Sequence, residues 1–163
     1  GYWNMMDPTN GYTAINKHAL EELDLDNLSK RYFFESDMLI NLNIENAVVT
    51  DVDIPAKYGD EESSLSITKT LFGFPPKLFK GLCKRIFLKY FIYDFNMLSL
   101  YLVLGLPMIL FGMSWGGFKW IEAIITNVET TTGTVMLSVL PIILGTQFLL
   151  QAIQIDMSNV PKK

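Results

Sequence analysis

Two stretches without a charged residue constrain this chain more than anything else in it. Residues 95–118 run 24 positions free of Asp, Glu, Lys and Arg, and residues 130–155 run 26. As a helix, each exceeds the roughly 20 residues needed to cross the ~30 Å hydrocarbon core of a bilayer. Two such helices inside a soluble core would have to be enclosed on every side, and the rest of a 163-residue chain is too small for that. Pro107 and Pro141 fall near the middle of the runs and read as kinks, because neighbouring helices can satisfy the carbonyls that a proline frees within a membrane. Gly112 and Gly116 have the spacing that lets two helices approach closely.

Charge is distributed in blocks around these spans. Residues 1–62 hold 13 acids and 4 bases, residues 63–93 hold 6 bases and no acid, and residues 94–163 hold 4 acids and 3 bases. The organisation expected is therefore an acidic head (1–66), a basic juxtamembrane belt (67–94), a first span (95–118), a short loop (119–129), a second span (130–155) and a tail (156–163). The bases lie before the first span and, as Lys162 and Lys163, after the second, so the positive-inside rule puts both ends in the cytoplasm. Trp115 and Trp120 then fall at the outer interface, with Tyr90, Tyr93 and Tyr101 near the inner one. The single Cys83 excludes an internal disulfide, and no cleavable signal pattern stands at the N-terminus.

In the belt, Phe79, Leu82, Cys83, Ile86, Phe87, Tyr90 and Tyr93 recur at spacings of three and four, with Lys80, Lys84 and Arg85 off that stripe. This pattern predicts an amphipathic helix on the membrane surface. Its cations either snorkel as a solvated flank or hold a lipid phosphate. Pro75 and Pro76 predict a break from a shorter helix before it. In the head, "KHALEELDL" and "ESDMLINLNIENA" read as helices, the second with Glu35 and Asp37 in its first turn. "AVVTDVDIPAKY" reads as a strand, followed by the loop "KYGDEESSLS", a lid over a site or a linker to the membrane. The expected class is thus α/β in the head, followed by surface helices and a two-helix hairpin.

The order "DPTNGYTAI", "YFFESDMLINL", "DIPAKYGDEESSLSI", basic belt and two spans resembles the C-terminal portion of family 2 glycosyltransferases that act on polyprenyl phosphate. The bactoprenol glucosyltransferases and, more distantly, the dolichyl-phosphate mannose synthases are the relevant relatives. The resemblance covers essentially the whole chain. It implies the closing part of a cytoplasmic GT-A domain in which the phosphate of a polyprenyl lipid attacks the anomeric carbon of a nucleotide-sugar, with inversion. It further implies a divalent metal, Mg or Mn, on the nucleotide diphosphate and an inner-membrane location with the catalytic part cytoplasmic. Pairing between protomers is expected on a separate ground, since a kinked two-helix hairpin buries little of its own surface.

On this resemblance Asp7 opens the turn against the reaction centre, with Asn10 and Gly11 beside the substrate, and Asp37 is the acid at the head of the helix after the acceptor region. Lys57, Tyr58, Gly59, Ser63 and Ser64 match the loop that covers the phosphates, while Lys80, Lys84 and Arg85, from the belt pattern itself, are the candidates for the lipid phosphate or the membrane surface. Thr13 and Lys57 stand where the mannose synthases often have Arg, so the donor sugar stays open. Read from their own surroundings, Asp7 is equally an Asx-turn before Pro8 and Asp37 a helix-start cap. Asp24-Leu25-Asp26 and Asp51-Val52-Asp53 have the spelling of the family's metal motif but follow the Asp7 turn instead of preceding it. They read as solvent charge and as the polar face of a strand. The nucleotide pocket and metal ligands are expected outside these residues, which makes the chain a fragment of the enzyme. His18, in a polar helix, has no ligand partner in the sequence, and no nucleic-acid pattern is present. The reading from another class is a two-span anchor or assembly subunit with no chemistry of its own.

Overall fold

Helix ends organise the head. Asn16 starts α1 (Lys17–Glu21), its side chain accepting from the Ala19 N–H at 2.8 Å. Asp24 caps a single 3-10 turn, Leu25–Asn27. A second such turn, Arg31–Phe33, leads into α2 (Phe34–Ile44). The far end of α2 is closed by Asn46 in the left-handed region (φ 55°), with the Ala47 N–H reaching back to the Leu42 carbonyl at 2.9 Å and the Asn46 N–H to that of Asn43. This pair of bonds is a Schellman closure with asparagine in the usual glycine position. It delivers Ala47 onto a small core of Leu23, Met38 and Leu42, against which Tyr2, Ala19 and Val49 also pack.

The computed structural model describes residues 1–9, 11–54 and 67–162. Beyond α2 come α3 (Ile67–Phe87), a π-helical turn (Leu88–Tyr93), α4 (Met97–Thr126) and α5 (Thr132–Ser158). The chain divides into two units, Gly1–Asp94 with Val160–Lys163, and Phe95–Asn159.

The expected α/β head is corrected by this arrangement. Among the described residues there is no strand and no sheet, so the closing part of a GT-A domain is not what these residues form. The physical reason lies in residues 47–54. They alternate half-buried and exposed through Ala47, Val48, Val49 and Thr50, as a strand would, but no described segment lies alongside to complete a ladder. Val52 and Ile54 are left exposed at its end. The expected lid and the residues before it lie outside the described residues.

The belt also differs from expectation, since α3 runs through Pro75 and Pro76 without a break. Each proline removes a helical N–H and crowds the carbonyl four residues back. Contacts on either side hold the helix together: Phe74 meets Phe33 edge-on at 5.6 Å, and the Lys77 ammonium sits 5.6 Å from the same ring.

In the second unit α4 and α5 pack as a hairpin, and both are long and apolar enough to cross a bilayer. Asn96 opens α4 with a reciprocal capping box to Ser99, and Thr131 caps α5 through the Thr134 N–H. The helix α4 outruns the charge-free stretch and carries Lys119 and Glu122, paired at 2.6 Å one turn apart, before Asn127 ends it at φ 50°. Glycine sets the approach of the two helices. A Cβ on Gly112 would stand 2.6 Å from the Ser138 carbonyl oxygen, and one on Gly145 2.8 Å from that of Gly105. Gly116 faces Ser138 in the same seam. Tyr101 stacks on Phe148, centroids 5.6 Å apart.

Candidate functional site

The N-terminal residues and the 47–54 segment enclose a groove of about 730 Å³ against one side of α2. Asp7, Glu35, Asp51 and Asp53 rim it over a floor that includes Met38 and Leu42. Two hydrogen bonds fasten the N-terminal residues there. The Tyr2 hydroxyl donates to the Ala47 carbonyl, and the Met6 N–H donates to the Asp51 carboxylate at 2.8 Å. Burial pushes the Tyr2 hydroxyl above its ordinary pKa, because the phenolate would lose water without gaining a donor.

Asp7 folds its own turn. One carboxylate oxygen accepts from the Thr9 N–H at 3.0 Å and from the Thr9 hydroxyl at 2.8 Å, which leaves the other directed to no described partner on an exposed residue. Gly11 follows beside one of the rim acids, since a Cβ added to it would stand 4.0 Å from the Glu35 carboxylate. Asp37 does something else. One of its oxygens accepts from the Ser29 N–H at 2.7 Å, and Asn41 closes on the same residue through its side-chain amide, 2.7 Å to the backbone carbonyl and 3.4 Å to the other carboxylate oxygen. It ties the segment that precedes the Arg31–Phe33 turn to the first turn of α2, and it does not line the groove.

The structure therefore puts Asp7 on the rim of the groove with Gly11 near Glu35, and gives Asp37 a separate, internal set of bonds. Asn10, Lys57, Tyr58, Gly59, Ser63 and Ser64 lie outside the described residues. Of the belt cations, Lys80 is exposed, Lys84 donates to the Asn41 side chain at 2.7 Å, and Arg85 is buried with its guanidinium on the Asn43 side chain at 3.3 Å. Lys89, not singled out from sequence, joins them, donating to the Asn43 carbonyl at 3.0 Å and to its side-chain oxygen at 3.1 Å.

Asp51 and Glu35 are the groove residues that sequence reasoning passed over. Period-two alternation gives no signal for Asp51, because it puts Val48, Val52 and Ile54 on the opposite, more apolar face and leaves residues 51 and 53 on the polar one. The other Asp-x-Asp spelling is solvent charge. The Asn27 side-chain amide and N–H hold the Asp24 carboxyl below its ordinary pKa, and His18 pairs with Glu22 on the exposed surface of α1.

Among the described residues no three His, Cys, Asp or Glu side chains come together as a metal centre. Comparison with family models, with curated proteins and with solved structures finds no match for this chain.

Proposed function

We propose that the chain is the membrane-proximal part of an enzyme that moves a hexose from a nucleotide-sugar to a polyprenyl phosphate. What carries the reading is an acid-rimmed groove on a head that continues, through a basic amphipathic helix, into two helices of membrane-spanning length. That is the order of parts in the enzymes the sequence resembles. The nucleotide-binding half that the resemblance places N-terminal to Asp7 completes the site.

The chemistry asks little proton transfer of the protein. A phosphate monoester is already anionic at neutral pH, so its oxygen attacks the anomeric carbon as the bond to the nucleotide diphosphate breaks, with inversion. The protein has to align two anions and offset their repulsion. Groove acids such as Asp7 suit the sugar hydroxyls, and the exposed belt cation Lys80 suits the lipid phosphate. A divalent metal on the diphosphate would supply charge neutralisation from the other half of the enzyme.

The test is transfer of radiolabelled hexose from nucleotide-sugars into the organic-extractable fraction, using membranes that carry the chain joined to that half. Label on polyprenyl phosphate is expected. Two observations favour the rival reading of an anchor without chemistry, since Asp37 and Lys84 are both engaged in internal hydrogen bonds; membranes that bind donor and acceptor yet form no product would decide for it. Topology is checked in the same membranes. A membrane-impermeant thiol reagent added from outside should label a cysteine at Asn127 and miss one at Ser158, and the opposite pattern would reverse the cytoplasmic assignment.

A further inference from the structure

The helix α3 has two faces, and the structure turns them in an unexpected sense. Advancing about 100° per residue, Phe74, Lys77, Gly81, Lys84 and Arg85 fall on one side, and all five meet α2 or the turn before it. Phe74 and Lys77 contact Phe33, Gly81 lies against Ile40, Lys84 bonds Asn41 and Arg85 bonds Asn43. The opposite side carries Phe72, Phe79, Leu82, Cys83 and Phe87. Phe72 is 75% exposed and Phe79 67%, and Leu82, Cys83 and Phe87 are exposed as well. In a helix of a soluble protein the apolar face packs and the cations meet water. Here the face that carries Lys77, Lys84 and Arg85 packs on the head, while the aromatic face, with the exposed Lys80 at its edge, is open.

Chain connectivity says what covers that face. Three residues, Asp94–Asn96, separate the π-helical turn after α3 from the first turn of α4. Three residues span at most about 11 Å, so the end of this helical segment is held at the depth where a spanning helix begins. An aromatic helix face tethered there meets the boundary between headgroups and acyl chains. We propose that α3 inserts its aromatic face into the bilayer interface, and that apolar burial drives this contact while Lys84 and Arg85 stay bound to α2. It follows that insertion needs no anionic lipid, the opposite of what the basic composition of the belt suggests. This inference rests on the membrane reading given above for α4 and α5.

Cys83 makes the test direct, since it is the only cysteine of the chain and sits on the open face. A nitroxide is attached to Cys83 in the full chain reconstituted into phosphatidylcholine vesicles, and its collision rates with oxygen and with a water-soluble nickel chelate are compared. Labels at Phe79→Cys, Glu45→Cys, Leu104→Cys and Ile143→Cys are read in a Cys83→Ser background. Expected are oxygen-dominated collisions at 79, 83, 104 and 143 and chelate-dominated collisions at 45, with 79 and 83 unchanged by phosphatidylglycerol or by high salt. Chelate-dominated collisions at 79 and 83 while 104 and 143 remain lipid-like would overturn the proposal alone. Chelate-dominated collisions at all positions would overturn the membrane reading with it. Insertion at 79 and 83 only with phosphatidylglycerol would show that the cations drive it, and would equally overturn the proposal.

Discussion

Gly145→Leu should separate α4 from α5, and Gly112→Leu should do the same, whereas Gly117→Leu should leave the hairpin as it is. The first two glycines face backbone across the seam, where an added Cβ would stand 2.8 Å and 2.6 Å from a carbonyl oxygen of the other helix. A side chain met at that distance can change rotamer, but a helical carbonyl moves only with its helix. At Gly117 nothing lies within 4 Å of the same atom. Overpacking of a well-fitted contact costs about 1–3 kcal/mol, and in a bilayer no hydrophobic gain offsets it, because lipid tails are as apolar as the seam. The measurement is oxidative cross-linking of Tyr101→Cys with Phe148→Cys, a pair whose rings stack in the parent chain, in a Cys83→Ser background. At least about a fivefold fall in cross-linking rate is expected for the Gly145 and Gly112 variants. Equal rates in all three variants would refute glycine-limited packing.

That the hairpin could be read from sequence, while the head could not, follows from what each depends on. A run such as 130–155 is apolar in every direction, so its meaning survives ignorance of its neighbours. The start of α2 was legible for a similar reason, since Glu35 and Asp37 favour a helix start through purely local electrostatics. A strand is defined by a partner. Residues 47–54 have the β-branched composition and even the alternating burial of one, but no described segment pairs with them in a backbone ladder, and they form no strand. For α3 the spacing of Phe79, Leu82 and Phe87 showed that the helix has two faces. It could not show which one meets protein, because Asn41 and Asn43, which bind the cations, lie some forty residues away in sequence. Gly145 was missed as the partner of Gly105 because each glycine taken singly in an apolar run is unremarked; only the crossing of the helices pairs them. In the site, Asp7 was legible through its turn, and the neighbouring Asp51 was not, because the hydrogen bond from Met6 joins residues 45 apart.

Asp7 and Asp37 should part company when each is changed in the complete enzyme. In Asp7→Asn the side-chain oxygen can still accept from the Thr9 N–H and hydroxyl, so the turn keeps its hydrogen bonds and only the charge facing the groove is lost. Melting should stay within about a degree, since a surface change away from a core or cap is worth within about 0.5 kcal/mol. Transfer of hexose to polyprenyl phosphate should fall at least about 10²-fold, the cost of losing a group aligned on the reacting sugar. Asp37→Ala removes instead the acceptor of the Ser29 N–H and of the Asn41 amide. A hydrogen bond to a charged group contributes about 1.5–3 kcal/mol when buried. This one is partly exposed, which puts the expected loss at the lower end, seen as a drop in melting temperature with activity per folded molecule retained at temperatures well below it. Asp7→Asn with transfer inside about threefold of the parent would reduce Asp7 to a turn former and leave the groove without its principal acid. An Asp37→Ala enzyme of unchanged stability that transfers no sugar would move the chemistry to the start of α2, on the far side of the contacts that now bind that carboxylate.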